Sequence, residues 1–157
     1  MQIITLVRNE RERITEVVSQ DSATADSIAN IRALKCAKII LKAGLQNAFA
    51  FAWQNPESNK ILITRCITDI TTSGGAAATM DVGAAISATT HSATIFSGVL
   101  LNSTVVKDNV FVGGGIGQGG VAKVDENGGT TPWITGQILG NTASNLVGNI
   151  YIFYTEI

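Results

Sequence analysis

The chain has 157 residues, of which 45% are hydrophobic and only 15% charged, with 11 basic and 12 acidic side chains and a net charge of −1. That length suits one domain with a sizeable core plus a short appendage, and near-neutrality excludes a strong general attraction to nucleic acid. No apolar run reaches the roughly 18 residues of a membrane span, and the opening MQIITLVRNERER lacks the apolar core of a secretion signal, so synthesis in a cytoplasm is expected.

Residues 1–34 read as an arm. Charged side chains are dense there (Arg8, Glu10, Arg11, Glu12, Arg13, Glu16), and Val7, Ile14, Val17 and Val18 fall near a helical stripe. Ile28, Ile31 and Leu34 suggest a second short helix. The stripe is thin, and a short helix alone is marginal in water. The arm therefore needs the body or a neighbouring copy to order it, which makes Arg8, Arg11 and Arg13 candidate partner-docking residues.

From residue 35 the period switches to two, and 35–157 read as a β-sandwich. Ala37, Ile39 and Leu41 point one way, with Lys38, Ile40 and Lys42 the other. Phe49, Phe51 and Trp53 then alternate with Ala48, Ala50 and Ala52. A strand here predicts three aromatics in the core, each with a large area to bury. It leaves an alanine face that another layer or subunit can approach closely. Asn55-Pro56-Glu57-Ser58-Asn59 is a turn. In the run Lys60–Thr72, strict alternation puts Ile61, Ile63 and Ile67 with Arg65 and Asp69 on one face, and Leu62, Cys66 and Ile70 with Thr64 and Thr68 on the other.

Further strands are predicted at 79–83, 94–101, 109–112, 120–124, 132–139 and 149–156, separated by Ser, Gly, Asn and Asp turns. Short strands with frequent turns and no helices between them predict an all-β, jelly-roll-like antiparallel sandwich of about eight strands. The last run, Ile150-Tyr151-Ile152-Phe153-Tyr154, is apolar on both faces. Such a strand belongs at the centre of a sheet or at a subunit contact, because as a free edge it would aggregate. The predicted core holds Phe49, Phe51, Trp53, Ile61, Ile63 and Ile152. The predicted oligomer surface holds Ala48, Ala50, Ala52, Tyr151 and Phe153.

The chemistry-bearing motifs add up to no enzyme. Gly115-Ile116-Gly117-Gln118-Gly119-Gly120 has the spacing of a dinucleotide loop, but a strand and turn follow it where a helix is required. His91 is the only histidine, and no nucleophile-elbow sequence accompanies it. Cys36 and Cys66 stand outside any CxxC spacing and read as buried free thiols. Asp125-Glu126-Asn127 lacks an EF-hand pattern and reads as a solvated turn. Asp81, Asp125 and Glu126 would matter for hydrolysis only if they met in one cleft. No catalytic residue, cofactor or metal is expected.

The segment Ala48-Phe49-Ala50-Phe51-Ala52-Trp53-Gln54-Asn55-Pro56-Glu57, with Ile61-Leu62-Ile63-Thr64-Arg65, Asp69–Gly75, Met80-Asp81-Val82-Gly83 and the closing Gly148–Glu156, resembles small structural proteins encoded in tailed-bacteriophage morphogenesis clusters. The resemblance covers about residues 35–157, and the turn Trp53–Glu57 is its sharpest piece. It implies a virion auxiliary protein, foremost a head decoration or cement protein with a jelly-roll-like body. Such a protein is made in the host cytoplasm and sits on the outer capsid surface. As a homotrimer it binds the major capsid protein and ties capsomers together, without nucleic acid or membrane as partner. The family supplies no catalytic residues. The alternative of another class is a trimeric receptor- or glycan-binding module of a phage tail or surface appendage, with Trp53, Trp133, Tyr151 and Tyr154 as stacking candidates.

Overall fold

The structure, a computed structural model, describes residues 5–8, 14–18, 34–75, 77–110 and 122–157. The chain divides into two compact units, Met1–Ala33 and Leu34–Ile157. In the first, β1 (Thr5–Arg8) and β2 (Ile14–Val18) form an antiparallel hairpin, with Thr5 opposite Val18 and Val7 opposite Glu16. This corrects the helical stripe expected through Val7, Ile14, Val17 and Val18. β-branched side chains are stiff and suit a paired, pleated backbone better than an uncapped helix. The second helix expected in the arm lies, apart from Leu34, outside the described residues.

In the second unit the chain runs through β3 (Lys35–Leu41), β4 (Phe49–Gln54), β5 (Ile61–Thr72), β6 (Thr79–Ala85), β7 (Phe96–Leu100), β8 (Val105–Asp108), β9 (Ala122–Val124), β10 (Trp133–Leu139) and β11 (Val147–Glu156). One sheet has the order β4-β10-β6-β7, and the other β3-β11-β5-β8 with β9 also paired to β5. All these pairings are antiparallel. With β9 set aside, the eight strands pass from one sheet to the other at every connection except the β6–β7 pair, the winding order of a jelly roll. β11 lies between β3 and β5, so its backbone is paired on both sides.

The core lies between the sheets. Ile61, Ile63, Cys66, Ile70, Ile150 and Ile152 from one face Phe51, Met80, Val82, Ile134 and Ile138 from the other, all at most 3% exposed. Gly136 makes room for its neighbours within its own sheet: a Cβ there would collide with the Phe51 ring on β4 and come within 3.0 Å of Met80 Sδ on β6.

Three bulges set which side chains face inward. In β4 the register slips between Gly136–Phe51 and Gln137–Phe49, so Ala50 is the extra residue and is fully buried. Phe51 and Trp53 remain on the core side, while Phe49 falls opposite Gln137 and is half-buried. The three aromatics therefore do not share one face. In β5 the slip between Phe153–Arg65 and Tyr154–Ile63 makes Thr64 the extra residue. Beyond it the alternation inverts: Cys66, Thr68 and Ile70 face inward and Arg65, Ile67 and Asp69 outward, against the strict period expected. At the far end of β5, Thr71 is extra between Ile70 and Thr72. Both threonines donate their hydroxyls across the irregularity, Thr64 to Phe153 O (3.2 Å) and Thr71 to Val147 O (3.1 Å). A bulge leaves one backbone position out of the ladder, and these hydroxyls supply replacement bonds.

Of the strand expected at 109–112, Asn109 and Val110 lie beyond the end of β8 (Val105–Asp108), and residues 111 and 112 are outside the described residues. Asp108 Oδ1 accepts from Val110 N (3.0 Å) and Asn109 Oδ1 from Cys66 N (2.7 Å), so side chains take over the ladder and end the strand.

Candidate interaction surface

The two outer faces of the sandwich differ. Over β6 and β10 lies the segment Ile86–Thr94, which acts as a strap. Gly83 makes room for it: a Cβ there would collide with Ser92 Oγ and come within 2.6 Å of Thr94 N. Thr135 donates its hydroxyl to Thr90 O at 2.7 Å, and Ala84 N donates to Thr94 Oγ1 at 2.9 Å. Asp81, 7% exposed, is the clasp, because one carboxylate oxygen lies 2.8 Å from His91 Nε2 and the other accepts from Gly98 N at 2.6 Å. The single histidine is tied to the sheet by this contact while its side chain stays 46% exposed.

The outer face of β3, β11, β5 and β8 has no such cover among the described residues. Register places Ile40, Asn149, Asp69 and Val106 in one row, and Lys38, Tyr151, Ile67 and Asp108 in the next. Ile40 and Val106 are 69% and 64% exposed, while Tyr151, Phe153 and Ile67 are half-buried by their neighbours. Lys38 lies with its ammonium 5.8 Å from the Tyr151 ring centre. Arg65 and Asp108 form an ion pair, with Arg65 Nε 2.9 Å from Asp108 Oδ2. The pairing partner holds the Arg65 guanidinium above its ordinary pKa.

Ala50 cannot serve an oligomer surface, because the bulge buries it within its own chain. Ala48 is half-buried and Ala52 exposed. Arg8 lies in β1, while Arg11, Arg13 and the loop Gly115–Gly120 are outside the described residues. Of the aromatics considered for sugar stacking, Trp53 and Tyr154 are spent on each other, ring centres 5.4 Å apart and planes tilted by 55°. Trp133 is half-buried between Gln54 and Ala85.

A polar cluster ties the Asn55–Asn59 turn to β3 and β11. Lys35 Nζ is 2.8 Å from Glu57 and 2.6 Å from Glu156, Asn59 Nδ2 donates to Glu156 at 3.0 Å, and Tyr154 OH donates to Glu57 at 3.0 Å. Lys35, then Asn59, hold the Glu156 carboxyl down to about 2. The same carboxylates raise the Lys35 ammonium. Asn55, 2% exposed, spans the turn by donating to Asn59 O and Asp125 O at 2.9 Å and accepting from Glu57 N at 3.0 Å. Asp125 in turn binds Lys60 at 3.2 Å and Thr131 N at 3.1 Å. Asp81 and Asp125 thus belong to separate networks. Among the described residues no three His, Cys, Asp or Glu side chains gather as a metal site. Cys66 is buried, and desolvation pushes its thiol up to about 12, whereas Cys36 is exposed on the outer face of β3, which corrects the reading of two buried thiols.

No protein-family model matches the chain. No curated protein matches it either. Among solved structures, a chain of the cyanophage Pam1 capsid asymmetric unit is similar over 81% of this chain and 86% of that one, at 16% identity and a TM-score of 0.45.

Proposed function

We propose that the chain is a non-enzymatic structural virion protein, which decorates the outer surface of an assembled phage head as an oligomer and ties neighbouring capsomers together. The observation that carries this reading is the uncovered outer face of the β3-β11-β5-β8 sheet, with Ile40, Val106, Tyr151 and Phe153 on a chain that has few charges. Apolar surface held on a rigid sheet favours burial against another protein. The sequence resemblance to phage morphogenesis proteins supports a capsid as that protein. The test is to add purified protein to shells that lack it and measure co-sedimentation, stoichiometry and the temperature at which the shells open. Saturable binding at a fixed ratio and a higher opening temperature are expected. Absence of binding to such shells overturns the proposal.

A further inference from the structure

We infer that the surface met by the outer face of β3, β11 and β5 is a protein surface with an apolar centre and carboxylates opposite Lys38, Lys42 and Lys123. This rests on the reading of that face as the one that meets a shell, and adds the chemistry of what it meets. Residues 34–157 carry seven Lys and Arg and seven Asp and Glu side chains, so the unit as a whole is neutral. Lys35 is paired with Glu57 and Glu156, Lys60 with Asp125, and Arg65 with Asp108. Asp81 is in contact with His91. No ion pair among the described residues holds Lys38, Lys42, Lys107 or Lys123, nor Asp69 or Glu126. Lys107 shares the side of Val105, which packs against the core, and Glu126 lies beyond β9 and acts on Lys60.

The other four are on the outer face. Lys38 and Lys42 flank the exposed Ile40, Lys123 is exposed between buried Ala122 and Val124, and Asp69 shares the row of Ile40. The face thus keeps three ammonium groups and one carboxylate outside ion pairs. The opposite sheet and its strap carry no titratable side chain except Asp81 and His91, so the surplus belongs to one face. An ammonium buried without a partner is costly. Lys38 holds its ammonium over Tyr151 of the central strand, so a surface that packs on Tyr151 packs on Lys38 and must bring a carboxylate to it. Lys42 lies near the start of β11 and Lys123, opposite Leu62, near its end. At those rim positions opposite charges act mainly on approach and register. A second copy would bring one carboxylate for three ammonium groups. Nucleic acid would answer the lysines but not Ile40, Ile67 and Val106.

The test titrates shells that lack the protein with the full chain, by co-sedimentation, at about 0.01 M and about 0.15 M salt, where the screening length falls from about 30 Å to about 8 Å. Binding should weaken at the higher salt. Lys38→Glu should weaken it about tenfold, and Lys42→Glu and Lys123→Glu about threefold each. Asp69→Asn should strengthen it about threefold, because it removes a carboxylate that faces carboxylates. Thermal melting of each variant checks that the fold is intact, and misfolding does not produce effects of opposite sign. Binding that ignores salt and these substitutions, or an intact Asp69→Asn variant that binds more weakly, overturns the inference and leaves decoration standing. A single-stranded oligonucleotide that displaces the shells overturns it too, because the lysines then read phosphate. Native protein that binds no shell at either salt removes the decoration reading, and this inference with it.

Discussion

On the outer side of β6 and β10 the chain lies against itself, with Gly83, Asp81 and Thr135 shaped to a strap that crosses them. On the outer side of β3, β11 and β5 it displays isoleucine, valine and aromatic side chains that no described residue covers. Both sheets are equally committed on their inner faces. A position pointing away from the core is therefore not one kind of environment. On the first sheet it is a second small interior with its own hydrogen bonds, and on the other it is surface.

Substitutions make the contrast measurable. Gly83→Ala is expected to destabilise most, by about 2–3 kcal/mol in denaturant unfolding, because the added methyl meets the backbone of Thr94 and the strap must lift. Asp81→Ala follows at about 1–3 kcal/mol, since it strips two bonds at once and leaves the Gly98 amide unpaired. Ile40→Thr, also outward-pointing but on the bare sheet, should change stability by less than about 0.5 kcal/mol, because it loses no intrachain packing. An Ile40 variant as damaging as Gly83→Ala would mean that the bare face is covered after all.

Two smaller effects sharpen the picture. In the native protein Cys36 should react readily with a thiol reagent, while Cys66 reacts only on unfolding, so counting labelled thiols before and after denaturant separates outer face from core. The Glu156 carboxyl is held near 2 by Lys35 and Asn59, against an ordinary value of 4.5. Its contribution is thus fully present above about pH 4.5 and is lost as pH falls through about 2. Glu156→Gln should flatten that part of the acid-unfolding curve.

The alternation of apolar residues and the turn residues between them sufficed to predict an antiparallel sandwich, since period-two burial is a local property, and the two apolar faces of β11 narrowed it to a central strand or a subunit contact. Inward and outward assignments in β4 and β5 were not legible. One extra residue at Ala50 and one at Thr64 reverse every later side chain, and an extra residue leaves no mark in composition or spacing. Ala48, Ala50 and Ala52 looked equivalent, yet the bulge buries the middle one. The strap was also hidden, because Gly83 reads as an ordinary strand glycine until the loop above it is seen. Tyr151 and Phe153 were legible as outward-facing because no bulge lies between them and Ile152 on β11.

The central place of β11 also has a kinetic side. β3 and β5 are made more than 70 residues before the strand that joins them, and until residues 147–156 arrive both present unpaired backbone edges. The nascent chain therefore passes through a long interval with two open strand edges rich in isoleucine, the condition in which chains pair wrongly with one another. Closing so long a loop is slow. The lysines beside Ile39 and Ile40 on β3, Lys38 and Lys42, then have a role before the native state exists, as charges that keep one waiting edge from joining its neighbour's.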